Sequence, residues 1–292
     1  MDQAERLRSL VRKQRTDTVA EATKANMRVI AITSGKGGVG KTNFTINLAI
    51  NLARAKKRIV IIDADFGLAN VELLFGITPK YSFKEILKGE ATVVEALTKG
   101  PEGILFLSGG SGLAQLGDVT ETQISLLING FNKLDDFTDI LLIDTGAGVS
   151  KNVTSFLKAA HEIIVVTTSD PTAIADAYTI IKTLSEDTPE PAPLKIVVNR
   201  VENHKEGLEV FNRLSRVCSR FLNVKPFNLG IIPYDKQLTR AVKAQEPVSI
   251  AYPDSDSSKS IEAISRRLLN EPEIAPVGIG KFIEKWLGFM KK

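Results

Sequence analysis

Gly35-Lys36-Gly37-Gly38-Val39-Gly40-Lys41-Thr42 is the stretch on which the rest of the chain depends. It reads as a Gly, four residues, then Gly-Lys-Thr. Val29, Ile30, Ala31, Ile32 and Thr33 precede it as a buried-strand run, and Ile46, Leu48, Ala49 and Leu52 follow at helical spacing. Strand, glycine loop and helix in that order are the context a phosphate-binding loop requires. The glycines let successive N–H groups turn inward to meet an anion, and the helix N-terminus adds partial positive charge. Lys41 is expected on the β- and γ-phosphates and the Thr42 hydroxyl on Mg²⁺, with Asn43 beside the phosphates. The stretch predicts a nucleotide site.

Working outward, the chain of 292 residues is long enough to bury a full core. Its 43% hydrophobic and 25% charged content are those of an ordinary globular protein. The single cysteine, Cys218, argues against a disulfide or a cysteine-based metal cluster, and two histidines are too few for a metal centre. The charged start argues against a signal peptide, and no apolar run is long enough for a membrane span. A cytoplasmic protein is expected. Of the net charge of +4, residues 1–28 carry +3 and residues 279–292 another +3. Subtracting both ends from the total leaves −2 for residues 29–278. A near-neutral body with two basic ends points to terminal contacts with anionic partners rather than to a DNA-coating surface.

Short apolar runs at 28–33, 58–62, 103–107, 140–143, 163–167, 194–198 and 229–232 predict strands covered on both faces. Helical patterns fall between them, near 42–55, 83–88, 119–134, 150–159, 172–185, 205–222 and 236–244. The alternation predicts an α/β fold: a doubly wound, mostly parallel sheet with helices on both faces and ligands at the strand carboxyl ends. Residues 189–193 and 254–258 read as surface loops, and Pro272 and Pro276 mark a linker.

Two carboxylates, Asp63 and Asp65, leave the second strand two residues apart and so share a side. One can hold the water shell of Mg²⁺ while the other orients a water in line with the γ-phosphate. The run Ile140-Leu141-Leu142-Ile143-Asp144 ends in a further carboxylate suited to Mg²⁺, and Gly146 lets the backbone close on phosphate. Asn199-Arg200 and Pro233-Tyr234-Asp235 end two later strands, where an Asn is by itself most often a turn residue. No Asn/Thr-Lys-x-Asp guanine signature is present, which favours ATP/ADP over GTP.

Both ends are amphipathic. Ala4, Leu7, Leu10 and Val11 share one side of a short helical pattern, which is marginal alone in water. Residues 279–292 place their apolar side chains, Trp286 among them, within an arc of about 160°, opposite lysines and Gly288. That segment is too short to span a bilayer but has the make-up of a helix lying in an anionic membrane surface. A helix docked on the domain's own core is the other reading.

Lys36-Gly-Gly-Val-Gly-Lys41-Thr42 resembles the deviant Walker A loop of the MinD/ParA ATPase family. The resemblance implies that Lys36 reaches the nucleotide of the opposite subunit in an ATP-bound homodimer. It also implies catalytic roles for Lys36, Lys41 and Asp65, with Asp65 orienting water, and an Mg²⁺ set of Thr42, Asp63 and Asp144. Asn199, Arg200, Pro233, Tyr234 and Asp235 would flank adenine. MinD proteins carry proline where Gly146 stands, which fits the flagellar branch of the family better. Asp2-Gln3-Ala4-Glu5-Arg6-Leu7-Arg8 matches the DQAxxLR element of that branch, FlhG (also YlxH or FleN). It implies activation of the GTPase FlhF through Asp2, Gln3, Ala4, Leu7 and Arg8, and contacts with flagellar basal-body components. The implied protein is a switch ATPase for flagellar number and placement, peripheral on the inner face of the cell membrane. Its expected parts are a partner-activating segment at 1–26, an ATPase domain at 27–270, a linker at 271–278 and a membrane-targeting helix at 279–292. The rivals are a MinD-type division-site regulator and a ParA-like DNA-segregation ATPase; the near-neutral body weighs against DNA.

Overall fold

The computed structural model describes residues 27–65, 70–110, 121–187, 192–270 and 278–291. The N-terminal segment at 1–26 and the linker at 271–277 lie outside them. The described strands are β1 (Arg28–Ser34), β2 (Ile59–Ala64), β3 (Thr98–Lys99), β4 (Leu105–Leu107), β5 (Ile140–Ala147), β6 (Glu162–Thr167), β7 (Leu194–Val201) and β8 (Phe227–Pro233). They form one sheet in the order β3-β4-β2-β5-β1-β6-β7-β8. Every pairing is parallel except β3 on β4. β1 is flanked by β5 on one side and β6 on the other, so the chain reverses its winding next to β1, where crevices open at strand carboxyl ends.

Helices cover both faces. They are α1 (Lys41–Arg54), α2 (Asn70–Phe75), α3 (Phe83–Leu87), α4 (Val93–Ala96), α5 (Glu121–Asn132) and α6 (Lys151–Ala159). They continue with α7 (Pro171–Asp187), α8 (His204–Phe221), α9 (Lys236–Lys243), α10 (Val248–Ala251), α11 (Asp256–Asn270) and α12 (Gly278–Lys291). Alternate strand residues feed two apolar layers. Ile30, Ile32, Leu142 and Ile164 pack with α1 and α11, and Val29, Ala31, Leu141 and Ile163 pack with α5, α6, α7 and α12. Burial on both faces is why the strands read as continuous apolar runs rather than alternating ones.

Two expectations are corrected. The polar string 254–258 is only partly a loop: Asp256 begins α11, and Ser257 and Ser258 are buried. Ser257 donates its hydroxyl and its N–H to Asp235 Oδ2 at 2.7 and 3.1 Å, and the hydroxyl of Ser258 meets the Tyr252 carbonyl at 2.8 Å. These bonds convert a loop-like composition into a helix start. The strand expected from 103 begins at Leu105, because Pro101–Gly103 forms a 3₁₀ turn with Glu102 at φ 54°.

The terminal helix is docked. Ile279, Phe282, Ile283, Trp286 and Leu287 are all buried, at the i, i+3, i+4, i+7, i+8 spacing of one helical face. Trp286 stacks on Phe156 of α6 and meets Phe83 edge-on at 6.1 Å, while Glu284, Lys285 and Gly288 face solvent. At the start of the helix, Ile279 donates its N–H toward Asp135 at 3.4 Å. The apolar arc read as membrane-facing is covered by protein in this state.

Candidate functional site

β1 delivers the glycine loop to the top of the sheet. Gly38 and Gly40 stand at φ 80° and 90°, left-handed conformations that residues bearing Cβ rarely adopt. Gly40 is also the residue at the N-terminus of α1, so the loop ends where the helix presents its free N–H groups. Val39 is buried and anchors the loop, and Gly35 has no room for Cβ, which would fall 2.2 Å from the backbone of Asp176. The loop opens on a cavity of about 360 Å³ lined by Gly38, Gly40, Lys41, Thr42, Asp65 and Arg200, with Asn43 also on its wall. A cavity of about 410 Å³ beside Arg54 and Arg266 is as large, so the loop rather than the volume identifies the site.

Asp144, fully buried at the end of β5, is the centre of the polar network. Lys41 Nζ donates to its Oδ1 at 2.9 Å, Thr42 Oγ1 to its Oδ2 at 2.7 Å, and Thr45 Oγ1 lies 2.9 Å from Oδ1. The lysine, the threonine and the strand-end carboxylate of the sequence reading therefore converge. Asp63 stands opposite Asp144 across the β2–β5 register. Burial, then the charge of Asp144, push its carboxyl up to about 7.

Asp63 accepts three backbone N–H groups. Its Oδ1 accepts the N–H of Asp65 at 3.1 Å, and its Oδ2 accepts those of Asn70 and Val71, both at 3.0 Å. It holds the backbone of Asp65 and caps α2, because a carboxylate leaving a strand meets the free N–H groups of the next helix. Asn70 Nδ2 in turn donates to Asp65 Oδ2 at 3.2 Å. Burial, opposed by the charge of Lys41, raises the Asp65 carboxyl. A Cβ on Gly146 would lie 3.4 Å from Asp65 Oδ1, so the ends of β2 and β5 meet at these two residues.

Lys36 is held within its own subunit. Its Nζ donates to Asp170 Oδ2 at 3.0 Å and to Thr172 Oγ1 at 2.8 Å. Hydrogen bonds from Thr172 and Lys36 bring the Asp170 carboxyl down to about 2.

The segments assigned to adenine also brace the loop. Asn199 Nδ2 donates to the Val39 carbonyl at 2.8 Å, and its Oδ1 accepts the N–H of Arg200 at 2.9 Å. Arg200, itself at φ 57°, donates from its guanidinium to the Gly38 carbonyl at 2.9 Å. These two bonds use one N–H and one lone pair of the Asn199 amide. Tyr234 is 58% exposed at the end of β8. Asp235 caps α9 through the Gln237 N–H at 2.7 Å and binds Ser257, so its oxygens are structural and it is not brought to the cavity. Asp2, Gln3, Ala4, Leu7 and Arg8 lie outside the described residues.

Left-handed glycines before α1, a lysine and a threonine on its first turn and a buried carboxylate facing them fit a polyphosphate with a hard cation. Among the described residues no group of three acidic, His or Cys side chains could hold a metal alone. Mg²⁺ is bound by one or two carboxylates together with phosphate oxygens and water, and Asp144 stands beside Thr42 to provide one. Sequence reasoning missed Thr45, Asn70 and Asp170. The Thr42-x-x-Thr45 spacing could have revealed the first; the other two depend on tertiary placement.

Residues 30–248 match the family model described as the CobQ/CobB/MinD/ParA nucleotide binding domain. The chain is similar to the antiactivator FleN of Pseudomonas aeruginosa, 37% identical over 84% of this chain and 88% of that one. It is also similar to the flagellum site-determining protein YlxH of Helicobacter pylori, 33% identical over 96% of this chain and 94% of that one. Among solved structures it resembles a chain of the MinC:MinD cell division protein complex of Aquifex aeolicus, with a TM-score of 0.66 and 27% identity. That alignment covers 85% of this chain and 97% of the other.

Proposed function

Because the chain belongs to the CobQ/CobB/MinD/ParA nucleotide-binding family, within its flagellar FlhG branch, we propose that it is an ATP-driven switch that regulates flagellar number and placement. The observation that carries the ATPase reading is the convergence of Lys41 and Thr42 on buried Asp144 beneath a left-handed glycine loop.

Bound ATP would supply the polyphosphate, and Mg²⁺ would supply the positive charge that offsets that of its oxygens. Lys41 exchanges Asp144 Oδ1 for phosphate oxygens, and Thr42 and Asp144 face the ion. Asp65 orients the attacking water, with Asn70 holding its carboxylate and Asp63 its backbone N–H. Arg200 and Tyr234 flank adenine, and Asn199 offers its remaining amide valences to the base edge. Lys36 leaves Asp170 and Thr172 to meet the nucleotide of a second copy, so ATP favours a homodimer.

Dimerisation couples to the membrane through α12. α6, against which Trp286 stacks, leaves the end of β5 that carries Gly146. Rearrangement of that end on ATP binding releases α12, whose apolar face then enters an anionic membrane surface. Two helices in a dimer bind far more tightly than one, by effective concentration. The N-terminal DQAxxLR segment acts on an FlhF-type GTPase, and basal-body components are the further partners.

Mass measurement in solution tests the switch. The Asp65→Ala variant, which binds without turning over, is expected to double in mass with Mg-ATP and stay monomeric with ADP. A monomer with both nucleotides contradicts the proposal.

A further inference from the structure

Thr45 lies outside the glycine-loop motif yet touches its central carboxylate. It follows Lys41 by four residues and Thr42 by three, so on a helix it projects between them, toward the same neighbour. Its side chain is fully buried, with Oγ1 2.9 Å from Asp144 Oδ1 and 3.1 Å from the Lys41 carbonyl. A hydroxyl has one proton to donate, so it serves either the Asp144 carboxylate or the carbonyl one turn back.

The three donors on Asp144 differ in what nucleotide does to them. Lys41 Nζ is drawn to phosphate, and Thr42 Oγ1 turns its lone pair to the ion. Thr45 has no such competing ligand, because it sits one turn deeper with no exposed surface. A buried carboxylate left without donors is costly. We propose that Thr45 is a positioning residue that keeps the Asp144 carboxylate in one orientation while Lys41 and Thr42 exchange it for phosphate and Mg²⁺. With Lys41 paired, the hydroxyl can share its proton with the Lys41 carbonyl; once Lys41 leaves, it turns wholly to Asp144.

This inference rests on the reading that Asp144 faces the ion, and the experiment separates the two. Affinity for a fluorescent ADP analogue is measured on the full chain in excess Mg²⁺ and in EDTA, for wild type, Thr45→Val, Thr45→Ser and Asp144→Asn. Thermal midpoints are read in parallel without nucleotide, and Thr45→Ala replaces the valine variant should that one not fold. Residues that orient a metal ligand are worth roughly 10–100-fold in metal affinity. Thr45→Val is expected to cut the Mg²⁺-dependent gain about tenfold, with affinity in EDTA unchanged and Thr45→Ser behaving as wild type. An unchanged Mg²⁺ gain in Thr45→Val, or equal losses with Mg²⁺ and with EDTA, overturns the positioning role. An unchanged gain in Asp144→Asn overturns the underlying assignment instead.

Discussion

Trp286 of the terminal helix stacks on Phe156 of α6, with ring centroids 4.5 Å apart and planes 19° from parallel. Phe156 also stacks with Phe282 at 6.5 Å, so one phenylalanine holds two anchors of the terminal helix. Offset aromatic pairs are worth about 0.5–1.5 kcal/mol beyond the area they bury. The contact joins the segment with membrane-like composition to the helix that leaves the phosphate site. Trp286 is the only tryptophan of the chain, which makes it an internal reporter of docking.

Shaving the seat of Trp286 should loosen the terminal helix without altering its own amphipathic face. Phe156→Leu, which removes both ring contacts from a buried site, is expected to shift Trp286 emission to the red and to raise vesicle binding in ADP. Emission spectra with and without vesicles check this. An unshifted spectrum together with raised vesicle binding would separate docking from membrane access.

Lys36 cannot bind Asp170 and a second subunit's nucleotide at once. Removing the competitor with Asp170→Asn should increase the dimer fraction at limiting ATP, whereas Lys36→Ala should abolish dimerisation at any ATP concentration. Both side chains of the ion pair are nearly half exposed, so the thermal midpoint of either variant should stay near wild type. Sedimentation velocity over an ATP series distinguishes the two effects.

Glu162 at the start of β6 is fully buried between two cations, with Arg28 Nε at 2.8 Å and Lys195 Nζ at 2.6 Å. This triad ties the N-terminal ends of β1, β6 and β7 together, away from the nucleotide. Glu162→Gln removes the negative charge that both cations face and is expected to cost about 1–3 kcal/mol. Urea unfolding measures the loss, and the ATP affinity of the folded fraction should not change.

Acid should weaken the fold near neutrality through His161. Its Nδ1 accepts the Val29 N–H at 3.1 Å, so the ring must be neutral at that nitrogen. Burial, then the positive charge of Lys285, hold its pKa below the ordinary value of 6.5. A base with a lowered pKa binds more protons unfolded than folded, so stability is full above 6.5 and falls as pH drops toward the folded value. His161→Gln, which can still accept from Val29, should flatten the stability profile between pH 7 and pH 5, read by urea unfolding at each pH.

The parts legible in sequence are those fixed by local chemistry. Gly38 and Gly40 are required by left-handed backbone, and doubly covered strands announce themselves as apolar runs such as 140–143. What was hidden depends on residues brought together from afar. Asn199 and Arg200 carry no sign that they hold the carbonyls of Val39 and Gly38, some 160 positions away. Asp63 carries no sign in sequence that its Oδ2 also accepts the N–H groups of Asn70 and Val71 at the start of α2. The start of α11 reads as loop because the partner that lets Ser257 be buried, Asp235, lies 22 positions away. The apolar arc of α12 is the same whether lipid or protein covers it, so its periodicity could not distinguish docked from membrane-bound.

The central claim, ATP-gated release of α12, is tested most directly by co-sedimentation with anionic vesicles. The Asp65→Ala variant is pelleted with Mg-ATP and with Mg-ADP, with Trp286 emission read in the same samples. The account predicts pelleting with ATP alone, accompanied by a change in Trp286 emission. Equal pelleting with both nucleotides, or none with either, would contradict it.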